Sequence, residues 1–205
     1  MDLGLYQMKH PFARLINGLL VPCRRVDPNV LSLSIIPLGL IIAGDYLLAP
    51  GHPALYLLGI ALIFVRLIVA TLDGMVAVKY DKGTPAGEVI NRVAPELADL
   101  MLMGALVSSR PDYAPLAVPV LLVAWGTSFF GLIGLVAKRP IQSVGPVGQT
   151  DRLAALMLCS LLQAIGGAAG WSADFIGLFL VWTIAGGTLT MVLRCYRTAK
   201  AVTTR

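Results

Sequence analysis

The apolar residues of this chain are grouped in a way that leaves few folds open. They fall into six blocks, at residues 31–49, 53–77, 97–108, 114–137, 153–169 and 175–193, and do not form the one-sided stripes of soluble helices. A helix rises about 1.5 Å per residue, so roughly 20 apolar residues cross the hydrocarbon core of a bilayer. Five blocks approach that length unaided. The third reaches it only if the polar residues from Gly87 onward are drawn into the membrane. Ionisable groups there are costly, which marks the segment for function. At 57% hydrophobic and 13% charged residues, an ordinary soluble domain is excluded. The expectation is an all-α integral membrane protein with six transmembrane helices. It forms one domain over residues 1–205: a juxtamembrane helix at 1–26, a six-helix bundle at 27–199 and a short tail.

The connections fit that count. Pro50, Gly51, His52 and Pro53 make a tight turn, and Gly166 to Ser172 is a Gly/Ala-rich link holding Trp171, an interface-favouring residue. Residues 138–151 form the one long loop. Asp27 and Pro28 open the first crossing as cap and first helical residue. Phe12, Leu15, Ile16, Leu19 and Leu20 recur at helical spacing beside Lys9 and Arg14. They read as an amphipathic helix on the membrane surface, with a plain basic leader as the alternative. The run is broken by Asn17 and Gly18 and has no small-x-small site, so it does not read as a cleavable signal peptide.

Lysine and arginine set the orientation. Lys9, Arg14, Arg24, Arg25, Lys79, Lys82, Lys138, Arg139, Arg152, Arg194, Arg197, Lys200 and Arg205 fall on one side, and Arg110 alone on the other. Both termini are therefore expected to be cytoplasmic. The net charge of +5 suits anionic lipid head groups. It gives no case for nucleic acid, since no basic cluster is interleaved with aromatics. Cys23, Cys159 and Cys195 lack metal-ligand spacing and read as reduced thiols. Gly131, Gly134, Gly166, Gly167, Gly170, Gly186 and Gly187 offer small surfaces for helix packing, within the chain or in a homodimer.

Chemistry concentrates between residues 66 and 99. Ala70, Asp73, Gly74, Ala77, Val78, Gly87, Asn91 and Pro95 stand in the frame D-x-x-D-G-x-x-A-R, eight residues, G-x-x-x-D-x-x-x-D. The chain thereby resembles the CDP-alcohol phosphatidyltransferases. A second likeness runs through Gly145, Pro146, Gly148, Asp151 and Arg152, which match the G-P-x-G-K-S-D-R loop of a bacterial subgroup. Gln149 stands at that loop's lysine. Pro28, Asn29 and Ser32 resemble a third, shorter family stretch. The resemblance implies a bacterial inner-membrane protein of phospholipid biosynthesis. Its family moves a phosphatidyl group from CDP-diacylglycerol to an alcohol and releases CMP. Four aspartates on two helices hold magnesium or manganese, and the fourth serves as the base.

Three of those four positions are not acidic here: Ala70, Asn91 and Pro95. Val78 replaces the motif arginine. One carboxylate and one amide are poor ligands for a hard cation, and losing a general base typically costs a factor of about 10²–10⁴ in rate. Two readings follow. A degenerate member would need no metal and would act as partner or scaffold of an enzyme that makes or uses CDP-diacylglycerol. An active transferase would need a divalent metal, with Asp73 and Asn91 as ligands and Asp73, Glu96 and Asp99 as catalytic candidates. A kink at Pro95 could turn Glu96 inward; otherwise Glu88, Arg92 and Glu96 pair along the helix surface. Arg66 lies seven residues before Asp73 on nearly the same face. It pairs with Asp73 or meets a substrate phosphate. Gly74, Ala77, Gly87 and Asn91 would line a nucleotide or lipid site. Lys138, Arg139, Gln149, Asp151 and Arg152 would form a basic rim, unless those cations serve topology alone.

Overall fold

The computed structural model describes residues 9–135 and 141–203. The described residues are almost wholly helical and contain no strand. The helices are α1 (Lys9–Leu15), α2 (Leu20–Cys23), α3 (Pro28–Leu48), α4 (Pro53–Lys79), α5 (Pro85–Ser108), α6 (Ala117–Leu132), α7 (Gln149–Ala169) and α8 (Phe175–Thr203). They make two compact units, one ending at Ser109 and the other beginning at Arg110.

Five helical segments are long and apolar enough to cross a membrane: Pro28–Leu48, Pro53–Lys79, Pro111–Leu135, Gln149–Ala169 and Phe175–Lys200. The expected sixth, α5, has the length but not the composition. Glu88, Arg92, Glu96 and Asp99 all lie in its first two-thirds. Large apolar side chains stand exposed along the others, among them Leu40, Leu48, Val118 and Leu178. That outward display suits a lipid solvent and would be a liability in water.

In the first unit α3 is central, packed on both α4 and α5. Its start is set locally: the Asp27 carboxylate accepts the Asn29 N–H at 2.8 Å, with Pro28 in the first turn. Thr84 does the same for α5, accepting the Gly87 N–H at 3.0 Å ahead of Pro85. Gly87 lies beside Asn29, and Gly39 lies against Ala98 so closely that an added Cβ would come within 2.5 Å of the Ala98 Cβ. These pairs advance together along both chains, so α3 and α5 run parallel. Asp73 meets Ser32 and Gly59 meets Asp45, so α4 runs antiparallel to α3.

The N-terminal segment is not one amphipathic helix. α1 and α2 are short and separated by a 3-10 turn at Asn17–Leu19. Asn17, Gly18 and Pro22 are the reason, since each disfavours a continuous helix there. Ile16 and Leu20 are buried with Leu72 and Val76 of α4, and the Phe12 ring stands edge-on to Phe64 at 6.0 Å. Leu15 and Val21 are exposed. Tyr80 Oη donates to the Leu20 carbonyl at 3.2 Å. Lys82 Nζ donates to the Arg24 carbonyl at 2.7 Å and the Val26 carbonyl at 3.0 Å. The end of α4 thus holds the approach to α3.

In the second unit α8 packs on α6 and α7. Gly126 sits under the Met191 sulfur and Gly187 against Val123. Arg110, the lone cation of its side in the sequence, forms an ion pair with Asp174 at 3.0 Å. α7 ends at Gly170, whose φ of +73° is the left-handed conformation of a helix C-terminus.

Candidate functional site

α3, α4 and α5 bring four side chains of the first unit into two buried polar groups. Asp73 is 1% exposed. Its Oδ2 accepts the Ser32 hydroxyl at 2.7 Å, and its Oδ1 accepts the Gly74 N–H. Arg66 and Asp99, each 2% exposed, form an ion pair between α4 and α5. The same guanidinium nitrogen donates to the Pro95 carbonyl at 2.9 Å. Arg66 therefore pairs with Asp99, not with Asp73 as its position on α4 suggested. The face of α5 below Pro95 turns toward Arg66, while Ser32 of α3 already occupies the near side of Asp73.

This arrangement decides how the remaining motif positions stand. Ala70 carries no side-chain oxygen, and Asn91 is exposed. A kink at Pro95 was one of two ways Glu96 could be placed; what Pro95 contributes here is its own carbonyl, to Arg66. Glu96 is half-buried. Arg92 pairs with Glu88 at 2.8 Å on the exposed side of α5. A divalent cation prefers several charged oxygens around one point. Here Asp99 faces a guanidinium, Asp73 is held by Ser32 and its own backbone, and no three His, Cys, Asp or Glu side chains gather among the described residues. The donor set does not fit a metal centre. Gly74, however, has nothing within 4 Å of where a Cβ would be, so its flank beside Asp73 is open. Ala77 is half-buried, and Gly87 is filled from the side by Asn29.

The second unit holds the other cluster. From residue 141 the loop is pinned to α6 and α8, starting with the Gln142 N–H on the Gly131 carbonyl at 3.0 Å. Gly145 takes φ of +117° with the Thr190 side chain against it, a conformation and a space that suit only glycine. The Val147 N–H donates to Thr190 Oγ1 at 3.0 Å, and the Gly148 N–H to Asp151 Oδ2 at 2.8 Å. Arg152 is wholly buried and donates to Thr127 Oγ1 at 2.5 Å. Arg194 donates to the Val144 carbonyl at 2.8 Å and to the Thr127 carbonyl. The expected basic rim is thus corrected at Arg152, which lies inside the unit because α6 supplies Thr127 as acceptor. Lys138 and Arg139 lie outside the described residues. Gln149 is half-buried, and its Nε2 has no partner among the described residues.

Sequence reasoning assigned Arg194 to topology and missed it here. A signal existed: Gly186, Thr190 and Arg194 follow at four-residue steps on one face of α8. Thr127 offered none.

The chain is similar to inner membrane protein YnbA of Escherichia coli (strain K12). The two are 28% identical over 163 residues, covering 78% of this chain and 81% of YnbA. Since the first unit ends at Ser109, an alignment of that length draws on both units. No known family's sequence profile matches the chain.

Proposed function

We propose that this is a bacterial inner membrane protein built on the plan of the CDP-alcohol phosphatidyltransferases, in which the catalytic acid set has given way to a structural ion pair. It acts as a partner or scaffold for a membrane enzyme that makes or uses CDP-diacylglycerol. Its termini are cytoplasmic, and α5 is a sixth crossing whose Asp99 is turned to Arg66 of α4. The N-terminal segment is a membrane-surface element.

The observation that carries this reading is the engagement of Arg66 by both Asp99 and the Pro95 carbonyl. The positive charge of the guanidinium is compensated by the buried carboxylate rather than turned to a phosphate, and the negative charge of the carboxylate is compensated by the guanidinium rather than turned to a metal. Support comes also from Ser32 on Asp73, from the family frame at Asp73, Gly74 and Gly87, and from the likeness to an inner membrane protein. The glycines that shape the helices persist where the groups that the chemistry consumes do not.

The test is CMP release by the purified chain from CDP-diacylglycerol, with a panel of alcohols and with magnesium or manganese. No turnover above the no-protein control is expected, with co-purification of a second membrane protein from native membranes. Metal-dependent turnover abolished by Asp73→Ala would establish the active transferase instead.

A further inference from the structure

Phe130 of α6 and one stripe of α8 line an open apolar groove of about 540 Å³. The stripe holds residues 188, 191, 192, 195, 196 and 199, which recur at three- and four-residue steps and so share one face. It rises about 16 Å along the helix. That is close to half of a bilayer's hydrocarbon core, the depth of one leaflet.

The groove has a direction. Val192, Tyr196 and Lys200 follow at four-residue steps, passing from apolar to amphipathic to cationic, and all three are exposed. A tyrosine followed one turn later by a lysine is the order found where hydrocarbon gives way to head groups. The glycines of α6 and α8 are taken up inside the unit. Gly126 packs under Met191, and Gly187 against Val123; on the groove side Tyr196 and Val192 stand exposed beside the small residues Thr188, Cys195 and Ala199. This surface favours a flexible chain with an anionic end over a rigid helix.

We propose that the groove binds one anionic phospholipid, its acyl chain along Met191 and Val192 and its phosphate at Lys200. The site is separate from the Arg66–Asp99 pair and does not depend on whether the protein catalyses phosphatidyl transfer.

The test is native mass spectrometry of the full chain, reconstituted from vesicles of equal phosphatidylglycerol and phosphatidylethanolamine. The wild type is expected to retain one phosphatidylglycerol per chain in several-fold preference. Val192→Trp, which fills the groove, is expected to lose that lipid. Lys200→Glu changes an exposed residue, and it is expected to retain a lipid with the preference abolished or reversed. Equal retention by the wild type and both variants would overturn the proposal. So would disulfide-linked dimers through Cys195, formed in membranes under mild oxidation of the chain carrying Cys23→Ser and Cys159→Ser, because a second copy would then occupy the groove.

Discussion

Arg66 and Asp99 bind each other with side chains almost wholly removed from solvent, so each depends on the other for tolerance of its burial. Removing one partner strands a buried charge, at a typical cost of about 3–5 kcal/mol, whereas replacing both by apolar residues of similar volume can be nearly neutral. Arg66→Leu and Asp99→Leu are each expected to lower the thermal midpoint sharply in detergent, and the double variant to recover most of the loss. Asp45 is the contrast. It is buried on α3 against Gly59, and neither carboxylate oxygen has a partner among the described residues. Asp45→Ala is expected to raise stability, by about 1–3 kcal/mol for relief of an unsatisfied polar group; a fall in midpoint would contradict this. The burial of Asp73 was legible in the sequence because it stands inside a long apolar block. The partner of Arg66 was not. Which carboxylate meets it depends on how α4 and α5 are rotated about their axes, and heptad spacing on α4 carries no information about α5. Arg152 was misread for a related reason: a cation beside an apolar block satisfies the topology rule whether it ends in water or on Thr127.

Helix starts were the most legible elements. Asp27 with Pro28 marks α3 by local chemistry, and the long apolar blocks fix where α4, α6, α7 and α8 run. The segment before α3 was less so, because Phe12, Ile16 and Leu20 carry the spacing of a surface helix while Asn17 and Gly18 interrupt it. The outcome is two short helices whose apolar side chains pack on α4. Lys82 then has a role that charge counting hides. Its ammonium joins the Arg24 and Val26 carbonyls, and hydrogen bonds to charged groups contribute about 1.5–3 kcal/mol each. Lys82→Met is expected to leave the helices intact but to quicken trypsin cleavage after Arg24 and Arg25. An unchanged cleavage rate would show that the clamp does not hold the segment.

At the scale of the whole molecule, both units combine lipid-compatible outer surfaces with a few buried polar residues that hydrogen-bond between helices. In the first, Ser32, Arg66, Asp73 and Asp99 form two groups; in the second, Arg152 and Arg194 converge on Thr127. These hydrogen bonds tie helices together. The claim on which the rest stands is that the first unit no longer grips divalent cations. Manganese binding to the purified full chain, followed by electron paramagnetic resonance of the free ion, tests it most directly. The account predicts no saturable manganese uptake at micromolar concentrations, with or without CDP-diacylglycerol. One or two tightly held ions per chain, lost in Asp73→Ala, would contradict it.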